Sequence, residues 1–270
     1  MLADHIKFSV VLNESNRNGW TPLHVAAHEG QIKILEELMK HGALLRKDYE
    51  GRTPLHLAAA NGHKDAVILI LKAHSHLMNV SDKNGNTPLH AATTQNQPKV
   101  VELLLRRNCE LTYNTEGNSA IDLALLNKFV EVAYVMAAHK SRSDEVLSLT
   151  EGKHPCIMEA LIADMPAVAK AVLDAGIQKC TTENLDSPNY YVEYSFKWLT
   201  KPESRRNQQS SNVCLPILND MVDHERSSLL SHELSLKYLE MKWNSYGKYF
   251  QFAHVISYLI YLSLVTAIAT

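Results

Sequence analysis

A surplus of either charge is missing from this chain. Its 270 residues carry 27 Lys and Arg against 29 Asp and Glu, a net charge of −2, so nucleic acid is not expected as a partner. Cysteine is scarce as well. Cys109, Cys156, Cys180 and Cys214 are widely spaced and form no CxxC pair, which points to a reduced, cytosolic compartment. No glycine-rich phosphate loop, paired-carboxylate constellation or metal-ligand cluster stands out, and therefore no enzyme activity, no metal and no cofactor is expected. A signal peptide is not expected either, because Asp4, His5 and Lys7 interrupt any apolar run at the N-terminus. The length allows one large or two ordinary domains, and a hydrophobic content of 46% is enough for a sizeable core.

What is present is a repeat. Thr-Pro-Leu-His stands at Thr21–His24, Thr53–His56 and Thr87–His90, with a worn copy at Ser119–Asp122; the periods are 32, 34 and 32 residues, close to the ~33 of ankyrin repeats. Proline has a preset φ and needs no amide partner, which suits the first turn of a helix. Thr21, Thr53 and Thr87 then sit at the N-cap, where a hydroxyl accepts from an orphan backbone N–H. Small residues recur at Ala26-Ala27, Ala58-Ala59 and Ala91-Ala92 and let helices approach closely. Gly30, Gly62 and Asn96 end these first helices. Ile32-Leu35-Leu38, Ala66-Leu69-Leu71 and Val100-Leu103-Leu104 supply the apolar stripe of a second helix, and Asn18-Gly19, Glu50-Gly51, Asn84-Gly85 and Glu116-Gly117 mark turns between copies. A single copy cannot bury its stripe, so copies must stack. His24, His56 and His90 share one slot of the turn, which favours a hydrogen bond within each repeat over a metal site.

Residues 1–17 resemble the end of an upstream or incomplete repeat, with Ile6, Phe8, Val10, Val11 and Leu12 as its second helix. No polar-faced cap opens the stack, so the chain is expected to extend upstream. Residues 18–140 form the regular stack, and residues 141–188 hold a degenerate repeat, over 153–177, and the start of a linker. Asp122 in place of a histidine reads as repeat decay. Over 189–248 the period changes. Tyr190, Val192, Tyr194, Phe196 and Trp198 alternate with Tyr191, Glu193, Ser195 and Lys197, the pattern of a strand with one buried face. An exposed polar loop over 200–212, with Arg205 and Arg206 as solvated charge, precedes Val213, Leu215 and Ile217, a return strand that Pro216 restricts to an edge. Helices broken near Ser231-His232 fill 218–248; Leu234, Tyr238, Met241 and Ser245 form one stripe, which Leu236, Leu239, Trp243 and Tyr246 widen. This breadth predicts burial on more than one side, with membrane headgroups, where Trp and Tyr are favoured, as one such surface.

From Phe250 to Thr270 there is no Lys, Arg, Asp or Glu. At 1.5 Å per residue this stretch reaches roughly 30 Å, a bilayer core, and predicts a transmembrane helix over 249–270. Lys237, Lys242 and Lys248 against Glu240 place residues 1–248 on the cytoplasmic side. The fold class expected is mainly α: an ankyrin-repeat solenoid, a small α/β linker domain, a pre-membrane helix and one transmembrane helix. Such a chain is either tail-anchored or a fragment of a larger membrane protein.

This order of parts, with Asn189-Tyr-Tyr-Val-Glu-Tyr-Ser-Phe-Lys-Trp198, Leu229-Leu-Ser-His232 and Tyr238-Leu-Glu-Met-Lys-Trp243 before the span, resembles the TRPA (ankyrin-type transient receptor potential) cation channels, of an invertebrate kind. The resemblance implies a homotetrameric, non-selective, calcium-permeable channel of the plasma membrane, gated by chemicals or temperature, whose pore lies downstream of this chain. It also implies protein partners on the stack, the lipid bilayer at 249–270, and an electrophile-reactive thiol at Cys156. Two further reactive positions of the family fall near Gly176 and Lys201, which carry no thiol, and Pro155 replaces the family's lysine. Cys156 follows Pro155 at an expected helix start with Lys153 and His154 beside it, a setting that stabilises a thiolate. Cys109 is expected to be inert; Cys180 and Cys214 have no assigned role. The alternative reading is a tail-anchored adaptor that binds a protein on its concave face, and a third is a soluble ankyrin scaffold.

Overall fold

Wherever threonine and proline stand together in the repeat, a helix begins. The computed structural model describes residues 12–179, 191–200 and 215–269, the side chains of residues 179 and 262–269 excepted. Two compact units divide it, Met1–Ala171 and Val172–Thr270. In the first, helices α1 (Pro22–His28), α3 (Pro54–Ala60), α5 (Pro88–Thr94) and α7 (Ala120–Leu126) open the copies; α2 (Ile32–Lys40), α4 (Lys64–Ala73), α6 (Pro98–Arg106) and α8 (Val130–Ala137) close them. First helices pack on first helices and second on second down the stack. The joints inside the copies turn on a left-handed residue: Gly30 (φ 65°), Gly62 (φ 76°), Asn96 (φ 52°) and Lys128 (φ 56°). Lysine adopts this conformation at a cost of about 1 to 2 kcal/mol, so at the fourth joint the stack, and not local preference, sets the backbone. The core is the row of small and branched residues between the helices, including Leu23, Leu55, Leu89 and Ile121. On the second helices the buried face is Ala66, Val67, Ile70 and Leu71 in α4 and Val100, Val101, Leu104 and Leu105 in α6. Of the expected stripe in α2 only Leu35 is fully buried, and Ile32 faces solvent.

A short helix the sequence reading missed, α9 (Ser143–Leu147), precedes the degenerate repeat, whose helices are α10 (Ile157–Asp164) and α11 (Pro166–Ala175). Residue 165 alone joins these two.

The second unit has a two-stranded antiparallel sheet. Strand β1 (Ile177–Lys179) pairs with β2 (Val192–Tyr194) in the register Ile177 to Tyr194. Of the expected long strand, whose Asn189 and Tyr190 lie outside the described residues, Val192–Tyr194 are strand among those described. Phe196 instead lies parallel to Tyr194 at 6.4 Å and against Tyr238 at 5.3 Å, and Trp198 lies in a 3-10 turn, Lys197–Leu199, with the Lys197 ammonium 4.6 Å from its ring. The return strand through Leu215 and Ile217 is replaced by α12 (Pro216–Asp223). Pro216 there takes the first helical position, where its missing N–H costs nothing, and Ile217, Leu218 and Met221 form the buried face. Helices α13 (Ser227–Leu230) and α14 (Glu233–Lys242) do break at Ser231-His232. In α14 Leu234, Ser235 and Tyr238 are buried within the chain, while Leu236 and Met241, and Trp243 and Tyr246 just beyond the helix, are exposed. The expectations for residues 1–11, Cys180, Cys214, Val213 and the 201–212 loop lie outside the described residues.

Helix α15 (Lys248–Ala269) covers the expected span, 22 residues of helix. Among the described residues, however, no helix is long and apolar enough to cross a membrane.

Candidate functional site

Two of the turn histidines, His24 and His56, use both ring nitrogens. The Thr21 backbone N–H donates to His24 Nδ1 at 3.2 Å, with Thr21 Oγ1 at 2.9 Å from the same nitrogen. Since Nδ1 accepts, the proton sits on Nε2, which donates across the repeat boundary to the Arg52 carbonyl at 3.3 Å. His56 repeats this with Thr53 and reaches the Asn86 carbonyl at 3.0 Å; His90 caps through Thr87. Each ring of His24 and His56 thus fastens its own helix start and the next copy, and neither nitrogen is left for a metal. Burial lowers the pKa of His24 and His90 and takes His56 down to about 4.

A second periodic device, which the sequence reading passed over, sits in the hairpin turns. Asn16, Asp48, Asp82 and Asn114 each place Oδ1 under two backbone N–H groups, two and four residues on. The side chain closes the turn, and the following glycine (Gly19, Gly51, Gly85, Gly117) takes φ near 75–79°. Turns then join edge to edge: the Tyr49, Lys83 and Thr115 N–H groups donate to the Asn18, Glu50 and Asn84 carbonyls.

At the fourth copy the chemistry reverses sign. Asp122, fully buried, accepts from the Ser119 N–H at 2.9 Å and the Ser119 hydroxyl at 2.6 Å, so it caps its helix as the histidines do. Across the boundary, though, Asp122 Oδ1 accepts from the His154 N–H at 3.2 Å, where His24 and His56 donate to a carbonyl. Gly152 makes this approach possible, since a Cβ there would collide with the carboxylate. Asp122 therefore anchors the loop leading into the degenerate repeat, and the Glu151 N–H reaching Tyr113 Oη at 3.2 Å steadies the same loop.

That loop delivers Cys156 to the N-cap of α10, in extended backbone (φ −137°, ψ 104°) and half-buried. N-caps at Thr21, Thr53, Thr87, Ser119 and Cys156 form one series, with a thiol in the slot that holds a hydroxyl in the earlier copies. Lys153 is exposed and His154 half-buried on the approach. Cys109 differs in kind. It is buried, its thiol pushed up to about 11 by that burial, and the Arg142 guanidinium, itself buried, donates to the Cys109 carbonyl and pairs with Glu145. Elsewhere on the stack a mostly apolar groove lies between Pro98, Val130, Glu131, Tyr134 and Val168.

A row of cap-sharing helix pairs fastened copy to copy defines a class before it defines a protein. The family model for ankyrin repeats matches residues 3–79 and 70–148, and the chain belongs to the ankyrin-repeat family. Beyond the repeats it is similar to transient receptor potential cation channel subfamily A member 1 of Drosophila melanogaster, 43% identical over 98% of this chain, and of Homo sapiens, 38% over 91%. It spans 23% and 22% of those two relatives. A human ankyrin repeat and SOCS box protein is 34% identical over 25% of the chain.

Proposed function

We propose that this chain is the cytoplasmic sensing and coupling region of a non-selective, calcium-permeable cation channel gated by chemical or thermal stimuli, homotetrameric and multi-pass in the plasma membrane when whole. The observation that carries the reading is coverage. Similarity to the fly channel runs through the stack and everything after it, 98% of the chain, whereas the SOCS box relative matches a quarter. On this reading residues 249–270 enter the bilayer and 1–248 stay cytoplasmic. The uncharged run Phe250–Thr270 supports this, as do the exposed aromatic side chains of Phe250, Phe252 and Tyr258. The parts of the chain are those its period marks: repeats over 18–140, a degenerate repeat and linker start over 141–188, and the linker over 189–248.

Cys156 is the electrophile-reactive thiol of this reading. Cys156 stands at the N-cap of an eight-residue helix, and a helix start, whose first N–H groups lack intrahelical partners, is a setting that favours the thiolate, the reacting species. The test is a transplant: residues 1–270 replace the matching segment of the fly channel, and whole-cell currents are recorded. Electrophile-evoked current that Cys156→Ser abolishes, with normal surface expression, is the expected result. Surface-expressed protein without current under any stimulus refutes the channel reading; unchanged electrophile response in Cys156→Ser refutes only the thiol.

A further inference from the structure

The helix that runs from Glu233 to Ala269 is α-helical on both sides of one π turn, Trp243–Gly247, where the Lys248 N–H reaches back five residues to the Trp243 carbonyl. A π turn holds one residue more than an α turn, is rare, and occurs mostly at places that function uses. Three features converge on it. Gly247 stands in the interior of a helix, where glycine is a poor choice; a Cβ there would come within 2.7 Å of Trp243 Cε3, so glycine is what lets the indole lie on the turn. Ser245 Oγ donates back to the Met241 carbonyl at 2.8 Å, a bond that loosens and bends helices. No residue of the turn is buried, so packing against the rest of its unit does not hold the register.

The helix before the turn is held. Tyr238 and Leu234 are buried, Phe196 rests on Tyr238, and Tyr194 Oη donates to Glu233 at 2.6 Å. At the N-cap of α14, His232 accepts the Leu234 N–H and its Nε2 lies 2.9 Å from Asp174 Oδ1.

We propose that the π turn Trp243–Gly247 is a register switch: by converting to α-helix it turns α15 about the shared axis relative to the anchored α14. The step is about 100°, one residue's share of a 3.6-residue turn. Such a joint transmits a change in the packing of α14 as rotation of the helix that follows. The proposal concerns one helix and stands apart from the channel reading.

The Trp243 indole, resting on Gly247, reports the state of the turn. The full chain, labelled with 5-fluorotryptophan and held in detergent micelles, is read by ¹⁹F NMR. Its three tryptophans, Trp20, Trp198 and Trp243, give separate lines, and Trp243→Phe assigns the third. The expected result is exchange of the Trp243 line between two environments whose populations move with temperature. Deleting Asn244 removes the extra residue and should collapse the signal to one of the two positions, with the Trp20 line unmoved. Gly247→Ala, which keeps the chain length, should shift the populations. A single sharp Trp243 line at all temperatures, or unchanged populations in Gly247→Ala, overturns the switch.

Discussion

Lowering the pH should loosen the stack, and His56 supplies the largest resolved share. In the fold its ring is neutral, with Nδ1 accepting from Thr53 and Nε2 donating to Asn86, and burial takes its pKa from 6.5 to about 4. The unfolded chain therefore binds the proton first. The contribution of His56 is present in full above the unfolded pKa of 6.5 and is lost as pH falls through that value toward about 4. At ~1.4 kcal/mol per unit, the loss is about 2 kcal/mol at pH 5 and about 3 kcal/mol at pH 4. His24 and His90 shift in the same direction and add to the slope. The assay is urea unfolding from pH 7.5 to 4, beside His56→Gln, which can still cap from the third helical position but does not titrate. The variant should start less stable and fall less steeply, by about one proton over the window. Parallel curves refute the argument, as does a His56 ring that titrates near 6.5 by NMR in the folded chain.

Three further outcomes follow from the same geometry. Asp122→Ala strands the Ser119 and His154 N–H groups and should cost about 2 to 3 kcal/mol by denaturant unfolding. Asp122→His, which restores the repeat's own spelling, should not recover it, because an Nε2–H would then face the His154 N–H. Arg142→Met leaves the Cys109 carbonyl and Glu145 without their guanidinium and should raise amide exchange in α8 and α9 tenfold or more, about 1.4 kcal/mol in local stability. Cys109 sits near 11 against an ordinary 9.0, so its thiolate is about 100-fold rarer than that of an exposed cysteine at neutral pH. Maleimide labelling read by mass spectrometry should modify Cys156 well before Cys109, and equal rates would refute the burial argument.

Where a residue type is demanded by a local bond, the sequence was readable. Thr-Pro-Leu-His announces a helix start because hydroxyl, ring and imidazole each fill a fixed place in one turn, and Gly30, Gly62 and Asn96 announce their joints because a left-handed backbone rejects most side chains. Lys128 shows the limit: it occupies the same joint with φ 56°, forced by helices on either side and not by its own preference. Asn16, Asp48, Asp82 and Asn114 were visible at the same 32 to 34 residue period, but their role lies in which amides each carboxyl or amide oxygen meets, and period alone does not give that. Pro216 was weighed only as an exclusion from a sheet centre, although the same missing N–H suits the first position of a helix, and Ile217, Leu218 and Met221 already had helical spacing. The breadth of apolar residues over 234–246 was visible in the sequence, but breadth records what a helix can bury and not what covers it, and within this chain only Leu234, Ser235 and Tyr238 are covered. Asp122 is the most instructive case. Taken as decay, it proves to keep the cap and to reverse the bond to the next copy from donor to acceptor. That reversal suits a neighbour that offers an N–H instead of a carbonyl, and the loop so fastened is the one that sets Cys156 at the start of its helix.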